Sequence, residues 1–128
     1  MDLTGIKETC LYVSDLETTR EFYEDKLGLS CFSSSDYYVF FKVGNSVLLC
    51  FLPTVTKQQE NLPRHFANGE MHLAFEISEA TYISFKEKVQ AHSISIEHEQ
   101  IWSNNKRSFY VRDPDNHSIE IVMEGMWD

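Results

Sequence analysis

The chain reads as an α+β protein made of two βαβββ modules, and three features of the sequence predict it. Residues 5–15, GIKETCLYVSD, lie over residues 69–79, GEMHLAFEISE, without a gap at an offset of 64 residues (69 − 5). Each copy is followed by a helix signal. After each helix come three short segments rich in β-branched and aromatic residues. The 128 residues suit one domain, with module 1 at about residues 5–52, a linker at 53–68 and module 2 at about 69–123. Neither module alone is long enough to close a core.

In the first module the overlaid segment is β1, and its aligned serine opens a helix. Ser14-Asp15-Leu16-Glu17 reads as a capping box with Ser14 as N-cap. Leu16, Phe22, Tyr23 and Leu27 supply an apolar stripe, and Gly28 is the stop. Strands follow at Leu29–Phe32, Tyr37–Val43 and Ser46–Leu52, the last two joined by the hairpin signal Gly44-Asn45. Residues 53–68 are polar and contain proline, as a linker does. The second module repeats the order, with a strand at 69–78 and a helix at about 79–91 carrying Tyr82, Phe85 and Val89 on one side. Strands at Ser93–Gln100, Arg107–Arg112 and Ser118–Met123 complete it, the last two joined by the turn Asp113-Pro114-Asp115-Asn116.

Composition narrows the function. Twenty acidic residues against eleven basic ones give a net charge of -9, which argues against phosphate backbones and anionic membranes as partners and suits a cationic or metal-bearing ligand. The N-terminal stretch has no basic region followed by an apolar run, and no apolar stretch approaches a membrane span, so the expected location is the cytoplasm. Cys10, Cys31 and Cys50 lack paired metal spacing and fall in apolar segments, as small reduced core residues do.

Side chains on a strand alternate between faces, so parity decides which residues can share a site. In the first strand Thr9, Leu11 and Val13 oppose Glu8, Cys10 and Tyr12. In the fifth, Leu73, Phe75 and Ile77 oppose His72, Ala74 and Glu76. In the last, Ile119, Ile121 and Met123 oppose Ser118, Glu120 and Val122. With the apolar sets under the helices, Glu8, His72 and Glu120 fall on the other side. Two carboxylates and an imidazole suit a divalent first-row ion with open positions. Taken singly, each of the three also has an ordinary structural or solvent-facing role.

The stretches LYVSDLETTREFYEDKLGL, GEMHLAFEIS and RSFYVRDPDNHSIEIV strongly resemble the vicinal oxygen chelate superfamily, which includes glyoxalase I, fosfomycin-resistance thiol transferases, extradiol dioxygenases and bleomycin-resistance proteins. The resemblance implies an open, cup-shaped mixed sheet flanked by helices and holding a divalent metal (Mn, Fe, Zn, Ni or Mg) through Glu8, His72 and Glu120. Glu8 stands where many members have His, which shifts preference toward harder ions. Aligning Ser46-Val47-Leu48 with Ser118-Ile119-Glu120 puts Leu48 where glyoxalase I enzymes carry a further Glu, favouring three-ligand relatives.

The implied activity is Lewis-acid chemistry on a small oxygen-chelating substrate by a metal-dependent lyase, transferase or dioxygenase, with Glu120 or Glu8 as ligand or proton carrier. The alternative is a metal-free protein of the bleomycin-resistance type that sequesters a drug or metabolite. Tyr110 matches a substrate-contacting tyrosine of the fosfomycin transferases, or is an ordinary strand aromatic. Arg107, with Lys106 and Arg112, is a candidate anion contact or plain surface charge. His65 reaches a pocket mouth or is a solvated loop residue, and His92, His98 and His117 show no ligand spacing. A homodimer is expected by the same resemblance, with Glu8 of one chain able to meet His72 and Glu120 of the other.

Overall fold

A computed structural model describes all 128 residues. It divides into two compact units, Met1–Gly69 and Glu70–Asp128. In unit 1 the order is β1 (Glu8–Tyr12), α1 (Leu16–Arg20) running into a π-helical segment (Glu21–Lys26), β2 (Ser30–Ser34), β3 (Tyr38–Val43), β4 (Ser46–Phe51) and α2 (Pro53–Gln58). Unit 2 contains β5 (His72–Ile77), a 3-10 turn (Glu79–Thr81), α3 (Tyr82–Ala91), β6 (His98–Ile101), β7 (Arg107–Arg112) and β8 (Ser118–Met123). The sheets have the same strand order, β1-β4-β3-β2 and β5-β8-β7-β6, with one parallel pair in each. The sequence repeat is thus a repeat of topology, and the architecture is the α+β fold expected.

In unit 1 the core side of the sheet is the one parity assigns to it. Leu11, Val13, Val39, Phe41, Leu48 and Cys50 are all buried, and Tyr23 packs on Phe41 with ring centroids 5.6 Å apart. The π-helical winding lets the neighbouring residues Phe22 and Tyr23 both turn inward, where their rings meet edge to face at 4.9 Å. Gly28 ends this helix at φ 84°, and Leu29 N–H donates back to the Tyr23 carbonyl at 2.9 Å, a Schellman closure only glycine adopts without strain. In unit 2 Phe109, Val111, Ile119, Ile121 and Met123 are buried, and Tyr82 from α3 packs on Phe109 at 5.5 Å.

Several local expectations give way. The N-cap of α1 is Asp15, whose carboxylate accepts from Thr18 N–H at 2.9 Å, not Ser14. Both residue types cap helices, and the chain turns helical one residue later than the serine requires. The linker is not uniformly irregular: Pro53 opens α2 from the first turn, where its missing N–H costs nothing. The strand expected at 93–100 runs instead from His98 to Ile101, after Ser93 at φ 62° closes the end of α3. Of the cysteines only Cys50 is fully buried, while Cys10 and Cys31 are half-buried, and none of the three is in a disulfide.

On the helix side of unit 2, Glu99 collects Tyr82 Oη–H at 2.7 Å, Arg107 Nη2 at 3.0 Å and Lys86 Nζ at 3.0 Å. Burial alone would raise this carboxyl, but the hydrogen bonds from Tyr82, Lys86 and Arg107 outweigh it and hold it down at about 2. A carboxyl lowered in the folded state contributes stability above its unfolded value, near 4.5, and that contribution disappears as the pH falls toward 2. Glu99→Gln is therefore expected to cost on the order of 1–2 kcal/mol at pH 7. Urea titrations should show the gap between variant and parent closing between pH 5 and about 2.

Candidate metal and substrate site

Parallel pairing of β5 with β8 sets His72 opposite Ser118 and Ala74 opposite Glu120, so His72 and Glu120 share the side of the sheet away from α3. His72 Nε2 lies 3.4 Å from Glu120 Oε1. Glu120 is 9% exposed, whereas the His72 side chain is about half exposed, at 51%. A nearly buried carboxylate thus meets an imidazole that solvent or a ligand can reach.

The second ring nitrogen fixes the chemistry of the first. His72 Nδ1 is 2.9 Å from the Ser118 carbonyl oxygen. A carbonyl only accepts, so Nδ1 carries the proton that it donates there, and in the neutral ring Nε2 bears the lone pair. Protonated, the ring forms an ion pair with Glu120. Neutral, it turns a lone pair toward carboxylate oxygen, an arrangement that calls for a cation. Two N and O donors about 2.1 Å from one ion, in tetrahedral to octahedral geometry, stand about 3.0–3.4 Å apart. The observed separation fits this, and the backbone carbonyl behind His72 is the usual orienting partner of a ligating imidazole.

Antiparallel pairing brings Tyr110 opposite Glu120 and His98 opposite Tyr110. The Tyr110 ring lies between the two imidazoles, 6.3 Å from His72 and 5.8 Å from His98. Burial raises its phenol, a hydrogen bond with Ser108 works in the other direction, and the charge of Glu120 with a hydrogen bond to it raises it further. The group is therefore a protonated donor at neutral pH. His98, whose ring nitrogen lies 2.9 Å from Gln100 Oε1, is a neighbour with no ligand spacing in the sequence, and its place opposite Tyr110 depends on the β6 register.

The other residues singled out in the sequence are placed elsewhere. Glu8 lies in unit 1, exposed at the start of β1, and no three His, Cys, Asp or Glu side chains of one chain gather as a metal-holding group. Arg107 faces the helix side of its sheet, bound to Glu99 and with its guanidinium 5.2 Å from the Tyr82 ring centre. Arg112 is engaged by Glu97 and Glu70, and Lys106 by Glu79. His65 is in unit 1, its Nδ1 2.6 Å from Tyr12 Oη. The register also corrects the position equivalent to Glu120 in unit 1. Glu120 is opposite Ala74, and the residue opposite the matching Cys10 is Leu49, not Leu48. It too is leucine, so unit 1 has no carboxylate there.

The sequence profile of the Glyoxalase/Bleomycin resistance protein/Dioxygenase superfamily matches residues 5–121. The chain belongs to this superfamily. Among similar proteins, the metallothiol transferase FosB of Staphylococcus epidermidis is 27% identical over 123 residues, covering 94% of this chain and 82% of its own. FosB of Lysinibacillus sphaericus is 29% identical over 122 residues, with the same coverage of 94% and 82%. The crystal structure of lactoylglutathione lyase from Agrobacterium tumefaciens superposes with a TM-score of 0.93 at 33% identity, covering 99% of this chain and 98% of that one. A glyoxalase-related enzyme from Fulvimarina pelagi shares the fold at TM-score 0.76 and 22% identity, covering 98% and 92%. As a superfamily member the chain is expected to handle a small molecule, and no helix in it is long and apolar enough to cross a membrane.

His92 caps the C-terminal end of α3, and His117 is enclosed. It is 1% exposed, and its Nδ1 accepts from Met71 N–H at 2.9 Å, tying down the residue before His72. This is a structural role. His117→Ala should lower stability by about 2–3 kcal/mol by opening a cavity and leaving that N–H without its acceptor, which chemical denaturation will measure.

Proposed function

We propose that this protein is a metal-dependent enzyme acting on a small substrate with neighbouring oxygen donors, with His72, Glu120 and Glu8 as the metal ligands. The observation that carries the reading is the His72 Nε2 to Glu120 Oε1 separation of 3.4 Å with Nδ1 held by a carbonyl. The donor set, one imidazole and two carboxylates, suits Mn²⁺, Fe²⁺, Zn²⁺, Ni²⁺ or Mg²⁺. The superfamily match and the names of the relatives support it: one is a metallothiol transferase, another a lactoylglutathione lyase. Transferase and lyase chemistry head the candidates, and thiols and thiol conjugates are the first compounds to try.

A bound divalent ion would act as a Lewis acid toward negative charge that develops on a substrate oxygen. The chain's own groups do the rest. Tyr110, held protonated, donates a hydrogen bond to a substrate oxygen. Glu120 or Glu8 takes a proton from substrate and returns it, becoming a carboxylic acid between the two events. His72, fixed by the Ser118 carbonyl, keeps its Nε2 aimed in one direction. Arg107 does not enter this reading, since Glu99 and Tyr82 already hold it.

Within this proposal the third donor, Glu8, comes from a second copy of the chain in a homodimer. Isothermal titration with Mn²⁺ should give one ion per chain, with affinity at least 100-fold weaker in His72→Ala and in Glu120→Ala. At 100 times the dissociation constant, metal should add about 2.7 kcal/mol to stability. A parent protein that shows no affinity for any of the five ions overturns the reading.

Sharing of the site is tested by mixing. Glu8→Ala and His72→Ala chains are each expected to bind metal poorly. If Glu8 acts across a dimer, exchange between them regenerates one intact site per heterodimer, read as recovered metal binding. No recovery after demonstrated subunit exchange places Glu8 outside the shared set.

A further inference from the structure

The phenol of Tyr110 belongs to a longer row of polar groups in unit 2. Ser108 lies two residues before it on β7, and so on the same face, opposite Val122, where it is fully enclosed. A buried hydroxyl has to find its partners within the protein. One is Trp102, whose indole Nε1–H donates to Ser108 Oγ at 3.0 Å. The other is Tyr110, whose phenol is hydrogen-bonded to Ser108 on one side and to Glu120 on the other. Glu120 in turn faces His72.

The two ends of this row decide its direction. An indole N–H donates and cannot accept, and a carboxylate accepts and cannot donate. Ser108 Oγ therefore accepts from Trp102, its single proton goes to Tyr110 Oη, and the phenol proton goes to Glu120. No other arrangement lets all three bonds form. Because each hydroxyl accepts and donates in the same sense, the bonds strengthen one another. Trp102 is also held by its backbone, in the turn from β6 to β7. Its N–H donates to the Lys106 carbonyl at 2.8 Å, and its carbonyl accepts from Asn105 N–H at 2.9 Å. The side chain keeps 37% of its surface exposed, yet its N–H is turned inward to a buried oxygen.

We propose that Trp102 is a positioning residue for Glu120: its indole N–H sets the direction of the chain through Ser108 and Tyr110, and that chain holds the Glu120 carboxylate in the orientation that faces His72. Trp102 is the one donor-only member, so without its N–H the Ser108 proton is free to turn away from Tyr110, and the phenol proton is no longer committed to Glu120. Groups that hydrogen-bond a ligating carboxylate tune its metal affinity from outside the coordination sphere. The effect on metal rests on the reading of His72 and Glu120 as ligands, whereas the orientation of Glu120 does not. On that reading, a substrate oxygen that takes over the Tyr110 hydrogen bond releases Glu120 from this hold.

The test uses the full chain and Trp102→Phe, which keeps an aromatic ring and loses the N–H. In Mn²⁺ titrations it should weaken affinity about 3- to 10-fold on its own, but less than about twofold when added to Tyr110→Phe, where the chain is already cut. A role in packing alone would cost the same in both backgrounds. In metal-free, nitrogen-labelled protein, Trp102→Phe should move the His72 ring nitrogen resonances, and Glu120→Gln should move the Trp102 indole resonance. Glu87→Gln, on α3, should move neither. If Trp102→Phe does not melt cooperatively, Ser108→Ala takes its place in both measurements. The proposal is overturned by equal losses of affinity in the two backgrounds, or by His72 and Trp102 resonances that stay fixed in the metal-free variants. A parent protein without affinity for metal ends the metal reading, and the resonances alone then decide whether Trp102 orients Glu120.

Discussion

The register of the β5–β8 pair is the constraint on which the candidate chemistry depends. Parallel strands hold their partners in phase, so one slipped residue would send the whole set to the other side of the sheet. With His72 opposite Ser118, the Ser118 carbonyl is within reach of Nδ1 and Glu120 follows two residues on, on the same face. Two anchors flank the start of β5: Ser118 N–H donates to the Met71 carbonyl at 2.8 Å, and Met71 N–H donates to His117 at 2.9 Å. The buried His117 thus serves the site without belonging to it, by fixing the strand phase that aims its neighbour.

The two units use one topology for different surfaces. In unit 2 the face away from the helix carries His72, Glu120, Tyr110 and His98, groups that coordinate or donate. In unit 1 the equivalent face carries Glu8 and Lys42 at one end and Cys10 among rings and aliphatic groups, with Leu49 where unit 2 has Glu120. The helix sides, by contrast, are alike, each packing an aromatic residue of the helical segment against a strand phenylalanine, Tyr23 on Phe41 and Tyr82 on Phe109. Repetition preserves what the fold needs, and divergence is concentrated on the side the fold does not need. Such a division lets a duplicated motif gain specificity without loss of stability.

Much of this was legible in the sequence because period-2 alternation and the internal repeat are both strong signals. The bounds of β7 and β8 fall where the apolar and aromatic runs place them, and parity gives the alternating burial of β5, whereas β8 is buried on both faces and Thr9 of β1 is exposed. What could not be read has local physical reasons. Ser14 and Asp15 are adjacent residues of equal capping ability, so composition does not choose between them. Leu48 and Leu49 differ only in strand register, which depends on pairing across the sheet and not on any property of the two leucines. Arg107 resembles an anion contact until its partners are known: Glu99 comes from a neighbouring strand, and Tyr82 lies 25 residues away (107 − 82).

The tautomer of His72 links fold to function most directly. Nδ1 is bound to a carbonyl, which is an acceptor and nothing else, so the neutral ring has no freedom about which nitrogen holds its proton. Beside a nearly buried Glu120 carboxylate, the Nε2 lone pair then faces like polarity, and the pair is at ease in only two states: with a proton between the groups, or with a cation accepting from both. The first is an ion pair with no chemistry of its own. On the proposed function the second would set a Lewis acid next to a protonated phenol, in a strand geometry that owes nothing to the identity of the substrate. On that reading, the register of unit 2 would set His72, Glu120 and Tyr110 and leave the choice of molecule to side chains that it does not constrain.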